Sequence, residues 1–387
     1  MNPIHIGVLA PEFPPDIGGV ENYSLGFVRA LANLGHPVTV YTPRHPQGEV
    51  SLAGITVKPV LKLRRVLDRD LIRDPSIQAW HAMNAAYAWV AEETDAPVVA
   101  SVHGNDFLRA YLPVTGPALH RLPGLWRWEA PLRRLDESWR AHTTRQIRRW
   151  LPKTRAVLTN SRYTEQVLLT KIPACRGLTV PAMVGVDPYF LARPLAPDDL
   201  HTPIQLISIA RLSEPRKNIH RVIDALARLR KDFDFRYTVI GEGAQRPALE
   251  AQVRQMGLAG HVRFTGALPR RELREYLHTA DLFILTSSVL PTSHEGFGLV
   301  YLEAAACGVP SLAARLAGAV EAIDEGHTGL FVDRPEVDAI AKALRRVLKG
   351  QIRFDRNRCR TFARAFTWER VVETALPYYQ AHGSERL

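Results

Sequence analysis

Short apolar runs and amphipathic helical stretches alternate along this chain of 387 residues, and the alternation begins twice. In the first half, strands are predicted at Ile4–Ala10, Val38–Tyr41, Ile55–Val60, Val98–Val102 and Ala156–Asn160. Helical patterns at Val20–Leu34 and Asn84–Glu93 lie between them. A proline-rich segment, Asp187 to Pro203, then interrupts the pattern and reads as a linker. Beyond it, strands are predicted at Gln205–Ala210, Tyr237–Ile240, Val262–Thr265, Leu282–Leu285, Ser311–Ala313 and Gly329–Val332. Helices are predicted at Asn218–Arg230, Arg246–Met256, Glu272–Thr279 and Val337–Leu348. Apolar runs of three to seven residues alternating with helices are what buried parallel strands with crossover helices require. Two such series predict two doubly wound α/β domains, residues 1–190 and 191–366. Ligands of such sheets bind at the carboxyl ends of the strands, so the expected site is a cleft between the domains.

One stretch carries the chemistry: Glu295-Gly296-Phe297-Gly298-Leu299-Val300-Tyr301-Leu302-Glu303, continuing through Ala304 to Gly308. The order is strand, glycine loop, helix, strand. Glycines at a helix start let the backbone approach a ligand closely, and the free amides and helix dipole there favour an anion. Glu303, on the second turn, tilts back toward the helix start; a carboxylate there repels phosphate and should meet hydroxyls. Glu295, in the loop, reads as free to meet another part of the same ligand. A diphosphate flanked by two polyols fits, and a nucleotide-sugar is such a molecule.

Glu295 and Glu303, in the context EGFGLVYLEAAACG, resemble the E-x7-E motif of retaining GT-B glycosyltransferases of family 4. The resemblance implies two Rossmann-like domains facing across a cleft, with the chain crossing back near Thr367-Trp368-Glu369 so that residues 367–387 pack on the first domain. It also implies an acceptor-side first domain and a nucleotide-sugar-binding second domain. Arg211 ends the second domain's first predicted strand and Lys217 opens the next helix. Two cations there can neutralise a departing diphosphate without a metal, and both match the family's Arg and Lys. Gly18-Gly19, at a strand-to-helix junction, permits close backbone approach and is similar to the family's loop over donor and acceptor. His103, at a strand's carboxyl end in His103-Gly104, resembles the histidine that contacts the donor sugar. Asp106 either meets acceptor hydroxyls or caps the following segment. Gly241 and Gly266 sit where the family's loops approach the nucleotide, and either also serves as a tight turn. By the same resemblance, Glu303 binds ribose hydroxyls and Glu295 the donor sugar, with the amides of Phe297, Gly298 and Leu299. No enzymatic nucleophile stands out, which suits the same-face substitution proposed for the family. Two departures occur: Val184 replaces the usual Asn before Gly185-Val186-Asp187, and the Gly318 loop keeps one glycine of a pair.

No cofactor is expected and no metal: no D-x-D motif lies beside these elements, and Asp68-Arg69-Asp70 reads as a solvated helical face. The fingerprint G-x-G-x-x-G is absent after the first strand, which disfavours a dehydrogenase. The function expected is transfer of a hexosyl group to a glycan or lipid-linked acceptor, in cell-surface polysaccharide or glycolipid synthesis. The alternatives are a nucleotide-sugar epimerase of the same fold and a non-catalytic nucleotide-sugar-binding protein. Three dispersed cysteines, no leader-like start and no long apolar run predict a cytoplasmic protein, or one resting on the inner membrane face. Of the formal net charge of +11, +8 falls between Arg109 and Arg155, interleaved with Trp126, Trp128, Trp139 and Trp150. A second basic cluster spans Lys58 to Arg73. An anionic membrane surface is therefore an expected partner, and nucleic acid is not, since no recognition module is present.

Overall fold

The computed structural model describes residues 2–16, 18–46, 48, 50–112, 114–115, 129–197 and 200–380. Two compact units divide the chain: Met1–Gly185 with Trp368–Leu387, and Val186–Thr367.

In the first unit seven parallel strands form one sheet among the described residues: β1 Ile6–Leu9, β2 Val38–Pro43, β3 Ile55–Leu61, β4 Ala79–Ala82, β5 Val98–Val102, β6 Ala156–Thr159 and β7 Thr179–Pro181. Their order is β3-β2-β1-β4-β5-β6-β7. In the second unit six parallel strands do the same: β8 Ile204–Ile209, β9 Phe235–Ile240, β10 Val262–Gly266, β11 Leu282–Leu285, β12 Ser311–Ala314 and β13 Gly329–Val332. That order is β10-β9-β8-β11-β12-β13. Both sheets are doubly wound, as the alternation predicts. Strand order reverses beside β1 in one and beside β8 in the other, and such switch points open a crevice at the strands' carboxyl ends.

Four elements depart from the sequence expectation, each for a physical reason. β4 reads Ala-Trp-His-Ala and lacks the aliphatic run of its neighbours. Its buried His81 is instead held by Ser101 and Tyr379. β7 is a three-residue edge strand. Ala85–Glu92 forms tight three-residue turns rather than an α-helix, because Asn84 takes the amide of Ala86 and Asp106 takes that of Ala85. A helix at Arg356–Arg364 escapes hydrophobic periodicity because it buries Arg356 and Arg360 beside Cys359 and Ala363. The chain leaves the first unit at Gly185 rather than near residue 190, since Asp187 already caps the helix Pro188–Leu191 of the second. It returns at Trp368, and the last α-helix ends at Ala375. Trp368 sits where a Cβ on Gly26 or Gly185 would collide, at 2.2 Å and 2.5 Å. Residues 381–387 lie outside the described residues.

The basic segment forms the long helix Glu129–Trp150. Trp150 is fully buried, with the Arg65 guanidinium 5.5 Å over its ring. Trp139 is half-buried, with its indole nitrogen enclosed. Neither tryptophan is a surface anchor, which corrects the aromatic part of the expectation. Arg121, Arg127, Trp126 and Trp128 lie outside the described residues. Arg134, Arg145, Arg148 and Arg149 are exposed. Asp68 is not solvated either: it accepts the amides of Lys62 and Arg64 and the hydroxyl of Tyr87. Among the described residues no helix is long and apolar enough to cross a membrane.

Candidate active site

The switch point of the second sheet lies between β8 and β11, and the loops leaving those strands carry the expected site. After β11, Thr286 to Gly298 loops to the helix Leu299–Ala306. Gly298 caps that helix at φ 91°, a left-handed conformation in which a side chain is strained, and it offers no side chain to the first-turn amides. Phe297 turns its ring into the core against Phe366, 5.7 Å between centroids, so only its backbone is available to a ligand. Gly318 packs so closely that a Cβ would lie 1.9 Å from the Gly296 carbonyl oxygen. Its amide donates to the Glu295 carbonyl at 3.1 Å.

Glu295 is not free in its loop, contrary to the sequence reading. Its Oε2 accepts from Lys217 Nζ at 2.7 Å, Ser287 Oγ at 3.0 Å and an Arg216 guanidinium nitrogen at 3.4 Å. Its Oε1 receives no bond among the described residues. Burial alone would raise its pKa; the charges of Lys217 and Arg216 outweigh that and hold it at about 2. Lys217 ends the turn Pro215–Lys217 rather than opening a helix. Asn218 follows at φ 58° and donates to the Thr286 carbonyl at 2.6 Å and to Ser288 Oγ at 2.8 Å. The cationic turn is thereby tied to the loop that carries Glu295. Arg211 follows β8 and is exposed.

Glu303 lies on the second helical turn, 8 % exposed, and accepts no hydrogen bond among the described residues. Burial pushes it up to about 7; Arg270 opposes the rise and Asp187 adds to it. Arg270 and Asp187 form an ion pair with each other. Gly241 holds φ 136°, and a Cβ there would meet the Ala210 carbonyl oxygen at 1.9 Å. Its amide donates to the Gly266 carbonyl at 2.9 Å, and the Leu212 amide donates to the Glu242 carbonyl at 2.7 Å. Gly241 and Gly266 thus tie the ends of β9 and β10 to the loop of Arg211.

In the first unit the expected residues gather at the carboxyl ends of β1, β4 and β5. His103 Nε2 lies 2.9 Å from the Met83 carbonyl oxygen, to which it must donate. Burial lowers its pKa, so the ring is neutral and Nδ1 keeps its lone pair. Asp106 is not an acceptor-binding group: its two oxygens take the amides of His103 and Ala85, each at 3.0 Å, and it is buried. Neither amide belongs to the segment that follows Asp106, whose Leu108 and Arg109 amides donate to the Asn105 carbonyl instead. Gly18 is extended at φ −178° and caps the helix Gly19–Asn33, again without a side chain. A Cβ on Gly19 would meet nothing within 4 Å, so this turn is open.

Two residues escaped the sequence reading. Arg216, buried beside Lys217, donates to Ser293 Oγ at 2.8 Å and pairs with Glu214 at 2.7 Å as well as with Glu295. Its signal was the doubled cation Arg216-Lys217, read only at Lys217. Glu12, after β1, accepts from Asn84 at 3.0 Å and from the Tyr111 hydroxyl at 2.7 Å, and burial pushes it up to about 7. A carboxylate at a strand's carboxyl end was the available signal.

Known proteins place this architecture. Residues 17–188 match the model of Glycosyltransferase Family 4, and residues 198–366 that of Glycosyl transferases group 1. A GDP-mannose-dependent alpha-(1-6)-phosphatidylinositol monomannoside mannosyltransferase of Mycolicibacterium smegmatis is 29% identical, over 86% of each chain. Sucrose-phosphate synthase from Thermosynechococcus elongatus superposes with TM-score 0.74 at 19% identity, covering 97% of this chain and 98% of that one. Anabaena HepE in complex with UDP-glucose gives TM-score 0.69 at 19% identity, with coverage of 97% and 98%. The chain belongs to glycosyltransferase family 4 and is a glycosyltransferase of GT-B architecture.

Proposed function

We propose that the protein is a retaining hexosyltransferase that uses a nucleotide-diphospho-sugar and a glycan or lipid-linked acceptor, in cell-surface polysaccharide or glycolipid synthesis. The observation that carries this is the pairing, on one loop and helix, of an ionised Glu295 held by Lys217 with a buried, unbonded Glu303. Lys217 and Arg211 take the diphosphate, together with the backbone amides of Phe297, Gly298 and Leu299. Glu303 accepts from ribose hydroxyls, and Glu295 Oε1 accepts from a sugar hydroxyl. His103 Nδ1 accepts a hydrogen bond from a sugar hydroxyl. Gly18 and Gly19 leave their turn open to substrate. The site needs no resident cofactor, and charge on the departing diphosphate is met by side chains and amides rather than by a metal. Retention follows if the leaving phosphate assists the incoming hydroxyl on the same face. The similar mannosyltransferase and HepE support a GDP- or UDP-linked donor. An inner-leaflet location suits a lipid-linked acceptor and the exposed arginines of the helix Glu129–Trp150.

A thermal-shift screen of GDP, UDP and ADP identifies the nucleotide, because a ligand bound to the native state raises its stability. Donor turnover with a panel of acceptors then tests transfer, and product anomers read by NMR test retention. Consumption of the donor without any acceptor would point to an epimerase instead, and binding without turnover to a sensor.

A further inference from the structure

Four charged side chains meet beneath the donor loop: Glu214, Arg216, Lys217 and Glu295, with relative exposures of 30%, 5%, 11% and 12%. Their charges cancel. If Glu295 drew on Lys217 alone, that ammonium would be neutralised before any phosphate arrived. Arg216 changes this balance, since its guanidinium spans Glu214, Ser293 and Glu295 at 2.7, 2.8 and 3.4 Å. The other groups at Glu295 do not compensate. Ser287 is neutral, Tyr301 is raised well above its ordinary value by burial, and His294 is lowered by burial to about 4 and is uncharged. From the turn Ala317–Glu321, the contact with Glu295 is a backbone amide of Gly318.

We propose that Arg216 is a positioning residue for glycosyl transfer: it shares the charge of Glu295 with Lys217 and so leaves part of the Lys217 ammonium's charge to the donor's diphosphate. The proposal rests on the donor-site reading of Glu295 and Lys217. It makes Arg216 act through two other side chains, without touching the donor.

The test is calorimetric titration with GDP and UDP, using whichever binds the wild type. Glu295→Gln should bind the nucleoside diphosphate more tightly, because it frees Lys217. Arg216→Met should bind it about tenfold more weakly, the cost of one charge-assisted contact. The double variant should recover to the level of Glu295→Gln, a crossing that a merely structural role for Arg216 does not produce. Should Arg216→Met fail to fold, Arg216→Lys alone and with Glu295→Gln replaces it. The ammonium then reaches fewer of the three partners, and the same crossing is expected at smaller amplitude. Simple additivity of the two single effects in the double variant, or wild-type affinity in the single Arg216 variant, overturns the proposal while a loss in Lys217→Ala leaves the donor site standing. An unchanged affinity in Lys217→Ala sinks the donor-site reading and the proposal with it.

Discussion

Replacing Glu303 by Gln should make the protein more stable and unable to hold its nucleotide. Burial raises the Glu303 carboxyl from 4.5 to about 7 in the folded chain. The sign follows from proton uptake. Between those two values the folded state holds the proton that the unfolded state has lost, so stability falls as pH rises. The cost is absent below the unfolded value and complete above the folded one, where it reaches roughly 3 kcal/mol. Glutamine is isosteric and neutral, and it removes this dependence. For a unit of this size each kcal/mol moves the midpoint by about 2–4 °C, so a gain of several degrees is expected near pH 8. Near pH 5 the gain should fall to about a quarter of that. Loss of the carboxylate should also remove about 1.5–3 kcal/mol of binding for each charged hydrogen bond to ribose. Scanning calorimetry on the transition that nucleotide shifts reads both effects. Wild-type nucleotide affinity should also rise between about pH 6 and pH 8, as the carboxylate ionises. A variant with no gain near pH 8, with equal gains at both pH values, or with an intact nucleotide-induced shift would refute the reasoning.

The diphosphate reading predicts that Arg211→Ala and Lys217→Ala each weaken GDP or UDP binding by about 1.5–3 kcal/mol in calorimetry. Lys217→Ala should in addition lower the unfolding midpoint, since it strips a partner from buried Glu295, whereas exposed Arg211 should not. Turnover should survive EDTA; loss on chelation with recovery in magnesium would place a metal on the diphosphate. The wild type should float with anionic vesicles at low salt, and Arg145, Arg148 and Arg149 changed together to Glu should abolish this while sparing nucleotide binding. Each arginine contributes about 1 kcal/mol before screening. Among the described residues of this segment Trp150 is buried, so the attachment expected is through the arginines, and flotation that persists at high salt would contradict it.

The fold was legible because parallel strands are buried on both faces. Leu282–Leu285 and Gly329–Val332 announce themselves as continuous apolar runs with their observed bounds. β4 did not, because its interior includes a histidine satisfied by partners from β5 and from the C-terminal segment, distant in sequence. The helix Arg356–Arg364 stayed hidden for the converse reason. Two of its four arginines are buried, Arg356 on the Ala280 carbonyl and Asp281 and Arg360 on the Ala306 carbonyl, so polarity no longer marks the solvent face.

The site divides along the same line. Glu303 could be placed from spacing alone, since the helix that carries it also carries the loop glycine that starts it. Glu295 was identified by the same string but given the wrong surroundings, because its partners Arg216 and Lys217 lie 79 and 78 positions away. Both adjacent cations reach the Glu295 carboxylate, because the left-handed turn at Asn218 and its bonds to Thr286 and Ser288 hold their turn against that loop. Asp106 shows the opposite error. A carboxylate at a strand end looks like a ligand for hydroxyls until two backbone amides are found to occupy it. Sequence can therefore nominate a carboxylate, but the residual hydrogen-bonding capacity decides whether it can bind. Both oxygens of Asp106 already accept a backbone amide, one oxygen of Glu295 is unbonded, and Glu303 accepts none among the described residues, which makes Glu303 the carboxylate with most to gain from a ligand's hydroxyls.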